Sequence, residues 1–152
     1  MNLPAGYETD LVIRLEANLD DTTGELLGRA MERLLAAGAL DVWFTPIQMK
    51  KLRPAVMLSA LATPGMEGAL AEVFFTETST FGLRMEEVRR VKLERKFMEV
   101  ETTYGRVQVK LGLRGGAVCQ VAPEFESCRA LSEATGVALR VIYEAAKAHA
   151  IA

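Results

Sequence analysis

The chain has 152 residues, half of them apolar and a quarter charged, the make-up of an ordinary soluble globular domain. Its 18 basic and 20 acidic groups leave a net charge of -2, which argues against a general nucleic-acid binder resting on a basic excess. The longest uncharged stretch, Pro54 to Met66, is interrupted by Pro64 and is too short to span a bilayer, and the first ten residues lack a basic, apolar leader.

Charge is unevenly spread. Residues 1–76 hold 6 basic and 10 acidic groups, and residues 77–152 hold 12 and 10, so a local positive patch can exist. The two cysteines, Cys119 and Cys128, are too few for a disulfide framework. They read as small buried apolar side chains with reduced thiols, which points to a cytoplasmic protein.

Residues 1–9 read as a loose tail. Leu11, Ile13, Leu15 and Ala17 alternate with polar neighbours, which predicts a half-buried first strand. Thr22 and Glu25 stand at capping-box spacing. Leu27, Ala30, Met31 and Leu34 follow at helical period, and Gly38 is a plausible stop. Leu40, Val42 and Phe44 predict a second strand ending near Pro46. A basic loop, Lys50 to Pro54, leads into an apolar strand over Val56–Ala62. Thr63-Pro64 suits the start of a second helix, marked by Leu70, Val73 and Phe74. A fourth strand follows over Leu83–Val91.

The order βαββαβ predicts an α+β fold, a ferredoxin-like sandwich over residues 10–91. Residues 92–152 read as an extension of the same domain. A β-hairpin turns at Thr103-Tyr104-Gly105, a strand lies near Val118–Val121, and a helix pair closes the chain. The helix pair has the rhythm of a helix-turn-helix, but its second helix is largely alanine and aliphatic. It reads as packing, not as a base reader.

Several chemistries are poorly served. The one histidine, His149, lies at the end of the chain, and no zinc-type spacing, P-loop or GxGxxG is present. Three polar turns remain. Asn18, Asp20 and Asp21 crowd oxygen donors where the first strand meets the first helix. Such donors suit a hard divalent cation, though a capped polar turn explains part of the pattern. Lys50, Lys51 and Arg53 sit between Pro46 and Pro54 and suit a phosphate clamp, or simply a solvated loop. Thr78, Ser79, Thr80 and Arg84 suit an anion or triphosphate lining, or a turn rich in hydroxyls. Whether the turns meet within one subunit or across two is open in the sequence. A fourth run, Arg89 to Lys96, reads as an exposed strand face.

These motifs carry a resemblance. LEANLDDTTGELLGRAMERLLAAGALDVWFTPIQMKKLRP, FTETSTFGLR, VETTYGRVQVK and PEFESCRALSEATGVALRVIYEAA together resemble the C-terminal domain of the LarC family, over about Glu8 to Ala146. That family inserts nickel into the pyridinium-3,5-bisthiocarboxylic acid mononucleotide, forming one carbon–nickel and two sulfur–nickel bonds. The resemblance implies a CTP-dependent cyclometallase of the lyase class, which cleaves CTP to CMP and pyrophosphate with magnesium or manganese and serves lactate racemase. It further implies that this domain binds CTP and forms a trimer or hexamer. An additional N-terminal domain, absent from this chain, would share in handling nickel, so the chain alone is expected to bind CTP without completing insertion.

On this reading Asn18, Asp20 and Asp21 lie by the metal and triphosphate. Lys50, Lys51 and Arg53 contact phosphate, and Thr78, Ser79, Thr80 and Arg84 line the nucleotide. No DNA or membrane partner is expected. The alternative is a non-catalytic ferredoxin-like regulatory module that binds a small ligand at a subunit interface.

Overall fold

A computed structural model describes residues 5–150, which fall into two compact units. One is Thr9–Arg90. The other joins residues 91–150 to residues 5–8.

The first unit is built around β1 (Glu8–Leu19), which alternates as expected. Ile13, Leu15, Ala17 and Leu19 are buried on one face. Glu8 and Thr9, expected in the tail, are the first residues of this strand; residues 1–4 of that tail lie outside the described residues. Helix α1 (Gly24–Ala36) starts one residue later than the capping-box spacing suggested. Thr23, not Thr22, is the N-cap, and its hydroxyl accepts from the Leu26 N–H at 3.4 Å. Gly38 ends the helix as expected. At φ 95° it donates to the Leu35 carbonyl while Ala39 donates to that of Leu34, a Schellman closure that favours glycine.

Strand β2 (Asp41–Met49) runs past Pro46, where a stop was expected. The sheet order β2-β3-β1-β4 explains this, because β2 is an edge strand and a proline there forfeits no internal ladder bond. Strand β3 (Arg53–Ala62) pairs antiparallel with β2 from Met49 opposite Arg53 onward, so the expected basic loop shrinks to a three-residue turn, Lys50–Leu52. Helix α2 (Glu67–Glu77) begins after Thr63-Pro64, not at it. Those residues instead form a turn closed by the Met66 N–H on the Thr63 carbonyl. Strand β4 (Arg84–Lys92) then flanks β1. The strand order is that of a split βαβ sandwich, in agreement with the expected class.

Both helices cover one face of this sheet. Leu27, Ala30 and Leu34 from α1 and Leu70, Val73 and Phe74 from α2 pack with Leu15, Ala17, Leu58 and Ala60 in one cluster. The opposite face carries the even residues of β1, namely Arg14, Glu16 and Asn18.

In the second unit the expected hairpin becomes a three-stranded meander of β5 (Glu94–Thr102), β6 (Gly105–Arg114) and β7 (Ala117–Pro123). Gly115 and Gly116, which read as a break, form the tight β6–β7 turn. Their φ values of 58° and 83° match the right-handed twist of the flanking strands. Helices α3 (Phe125–Thr135) and α4 (Leu139–His149) bury Cys128, Ile142 and Ala146 against Val100, Val107 and Val109, so the helix pair is a packing element. Among the described residues no helix is long and apolar enough to cross a membrane.

The cysteines part company. Cys128 is buried, and desolvation pushes its thiol above the ordinary range, whereas Cys119, expected to be buried, is exposed on β7. A thiol reagent applied to the folded chain at mildly alkaline pH is expected to modify Cys119 quickly and Cys128 only on unfolding. Equal rates for the two would contradict this packing. Leu58→Ala, at a fully buried position of the central layer, is expected to cost about 2–5 kcal/mol in urea unfolding followed by Trp43 fluorescence.

Candidate functional site

The three polar turns meet in the first unit. Asn18 is near the end of β1, and Asp20 and Asp21 lie in the turn beyond it. Because β1 lies between β3 and β4, this turn has the β2–β3 tip on one side and the start of β4 on the other. Each neighbour reaches it. Arg53 Nη1 donates to Asp20 Oδ2 at 3.0 Å. The Ser79 hydroxyl donates to Asp21 Oδ1. Arg84 Nη2 donates to Asn18 Oδ1 at 2.9 Å. These contacts join residues 33, 58 and 66 positions apart.

The β2–β3 tip has an uncommon backbone. Lys51 (φ 59°, ψ 25°) and Leu52 (φ 58°) follow one another in the left-handed region, where neither side chain is at home. Such a turn suits the twist of a hairpin but usually carries asparagine or glycine. Strained backbone of this kind collects at ligand sites, where the surrounding structure holds it in place. Lys50 and Lys51 are exposed at this tip with no ion-pair partner among the described residues. The sequence placed these lysines beside Arg53, and the structure keeps them there, but only Arg53 touches the acidic turn.

The Thr/Ser segment is shaped by its own hydroxyls. Thr78 Oγ1 donates to the Phe74 carbonyl at 2.6 Å and accepts from the Thr80 N–H at 3.3 Å. Thr80 Oγ1 donates to the Gly82 carbonyl at 2.6 Å and accepts from the Gly82 N–H at 3.3 Å. Thr78 and Thr80 therefore hold the loop, and Ser79 faces Asp21.

Two neighbours of the site were not among its expected residues. Glu16 lies 3.6 Å from Arg84 Nη2 and 3.3 Å from Arg14 Nε, with a side chain only 15% exposed. It thus lies at ion-pair distance from both guanidiniums, and Arg14 in turn pairs with Glu86. Met57 Sδ lies 3.3 Å from Arg84 Nη2. The signal for Glu16 was present in the alternation Arg14, Glu16, Asn18, which puts all three on one sheet face. Met57 could not be found that way, because only the register Asn18 opposite Met57 brings it near. That face also buries Ser59 opposite Glu16 and Trp43. The Ser59 hydroxyl has no hydrogen-bond partner among the described residues.

The site's ion pairs are too exposed to hold the fold. The Arg53 and Asp20 side chains are 54% and 20% accessible, and pairs of this kind contribute roughly 0.2–1 kcal/mol. Such groups can exchange partners for a ligand at small cost. The donor set also bears on metal binding. Among the described residues no three His, Cys, Asp or Glu side chains gather into a metal cluster. A magnesium-type ion needs no such cage, since one or two carboxylates complete its shell together with waters and substrate phosphates. Asp20 and Asp21, adjacent in one turn, fit that requirement.

Comparison with known proteins agrees with this architecture. The model of a family described as nickel insertion protein matches residues 2–143. A Myxococcus xanthus protein named for nickel insertion is 52% identical over 134 residues, covering 88% of this chain and 34% of that protein. The pyridinium-3,5-bisthiocarboxylic acid mononucleotide nickel insertion protein of Lactiplantibacillus plantarum is 43% identical, covering 90% of this chain and 32% of that one. The chain thus spans about a third of the length of these relatives. Among solved structures, LarC2, the C-terminal domain of a cyclometallase involved in synthesis of the NPN cofactor of lactate racemase, aligns with a TM-score of 0.89 and 41% identity, covering 95% of this chain and all of that one. By the family match and by these identities, the chain belongs to the nickel insertion protein family.

Proposed function

We propose that this chain is the CTP- and divalent-metal-binding part of a cytoplasmic nickel insertion protein. In that protein nickel is the cargo, placed into the pyridinium-3,5-bisthiocarboxylic acid mononucleotide, and CTP is cleaved to CMP and pyrophosphate. The observation that carries the reading is the meeting of three turns, distant in sequence, at one end of one sheet. The resemblance of its motifs to the C-terminal domain of LarC implies CTP as the nucleotide. It also supports assembly into a homo-oligomer, a trimer or hexamer, and work alongside an N-terminal LarC domain.

The chemistry of the site suits a polyphosphate. Arg53 is held by Asp20 and can turn its planar fork to a phosphate, while Lys50 and Lys51 add two point charges at the same tip. Ser79 presents a hydroxyl, with Thr78 and Thr80 shaping the loop that carries it. Arg84 hydrogen-bonds Asn18 and lies 3.6 Å from Glu16, so its charge already stands at the site. Asp20 and Asp21 would hold magnesium or manganese, which offsets phosphate charge during cleavage. As Asp20 turns to the metal, Arg53 is freed for phosphate, so metal and nucleotide are expected to bind together.

The test is calorimetry and thermal melting of the full chain. CTP with manganese is expected to raise the midpoint by mass action, and ATP or duplex DNA to do so far less. Arg53→Ala and Lys50→Ala are each expected to weaken CTP binding by about tenfold, the scale of one charge-assisted hydrogen bond. No stabilisation by CTP with manganese, or an affinity indifferent to both substitutions, would overturn the reading. Equal shifts from every nucleotide would point instead to a generic anion site. Asp20→Asn with Asp21→Asn is expected to remove the manganese dependence of CTP binding; a retained dependence places the metal elsewhere.

A further inference from the structure

Large apolar side chains left in water are unevenly placed. The two most exposed among the described residues are Phe81 at 105% and Leu52 at 79% of their reference areas, with Phe97 next at 62%. Both belong to the two loops that carry the cationic and hydroxyl groups of the proposed phosphate site, the 50–53 tip and the 78–84 segment. Leu52 stands beside Lys51 and Arg53. Phe81 stands between Ser79, which touches Asp21, and Arg84, which touches Asn18. At about 3.6 Å of chain per residue, the Phe81 Cα lies within about 7 Å of that of Ser79 and about 11 Å of that of Arg84.

Nothing in the fold uses the Phe81 ring. It belongs to neither buried cluster, and full exposure shows that it packs on no neighbour. Its backbone is braced: Thr80 Oγ1 bonds both the N–H and the carbonyl of Gly82, spanning the bend that carries Phe81. An aromatic ring held in water, next to groups suited to a polyphosphate, matches what a nucleobase requires. Every base has an apolar π-face, and stacking on an aromatic side chain contributes without reading hydrogen-bond edges.

We propose that Phe81 is the stacking surface for the pyrimidine base of the bound nucleotide. This rests on the triphosphate reading of the same site and deepens it. The phosphate groups would be held by the cations, and the base by the ring of Phe81. Stacking alone prefers no base, so discrimination between cytosine and other bases falls to polar groups around it.

The experiment measures binding of manganese-CTP and of manganese-tripolyphosphate, which lacks a base, to the full chain by calorimetry. Sedimentation of each variant is measured in parallel. Because the ring packs on nothing, Phe81→Ala is expected to melt at the temperature of the parent chain. It is expected to weaken CTP by about tenfold or more while leaving tripolyphosphate unchanged, and Phe81→Trp is expected to keep CTP affinity. An equal loss for both ligands, or no loss for CTP, would overturn the proposal and leave the phosphate site standing. A Phe81→Ala chain that changes its association state and recovers CTP affinity at high concentration would also overturn it, because the ring would then serve a contact between copies. If the parent chain binds neither ligand, the triphosphate reading itself fails, and this proposal with it.

Discussion

The alternation of β1 is the constraint on which the first unit depends. Its odd residues, Ile13 to Leu19, are buried beneath two helices, and its even residues, Arg14, Glu16 and Asn18, stand on the other face. A slip of one residue would drive two charges into the core and expose the leucines, so the register is held by the hydrophobic effect. Once it is held, the position of Asn18 follows, and with it the position of the turn carrying Asp20 and Asp21. The site is thus aimed by the core and does not depend on its own weak ion pairs.

Those pairs have a different part. Arg53 with Asp20, Ser79 with Asp21 and Arg84 with Asn18 satisfy polar groups that would otherwise face one another unpaired. Each is partly solvated, and each involves a group that a metal or a phosphate could take over. The more enclosed Glu16 differs. Lying between Arg14 and Arg84, it keeps two guanidiniums near a sheet face that also buries the Ser59 hydroxyl, which has no hydrogen-bond partner among the described residues. A surface organised in this way can exchange its exposed contacts while its deeper charge stays in place.

The turn at Lys51 and Leu52 shows the opposite economy. Two side-chain-bearing residues in the left-handed region carry a conformational cost that glycine or asparagine would avoid. The strand pairing from Met49 opposite Arg53 imposes that geometry from both sides. What the residues supply in return is charge and apolar surface at the tip of a rigid hairpin. Gly115-Gly116 in the second unit makes a comparable tight turn with glycines and carries neither charge nor apolar surface.

Much of the fold was legible in the residues. Period-two alternation marked β1 and β2 and a helical stripe marked α1, because burial on one face writes a repeat into the chain, while β3 read as a continuous apolar run. The three site turns were legible as well, from residue types that need a reason to cluster. Other features were not. Pro46 looks like a strand end until the sheet order shows β2 to be an edge, and Thr63-Pro64 looks like a helix start until the backbone turns there. Gly115-Gly116 looks like a break until β7 is seen to pair with β6. Local sequence alone determined which segments are strands and helices, and which turns carry unusual chemistry, since those depend on neighbours a few residues away. Only the tertiary structure decided that Asp20 meets Arg53, that Asp21 meets Ser79 and that Glu16 and Met57 stand beside Arg84, because strand order and register join residues whose separation along the chain leaves no periodic trace.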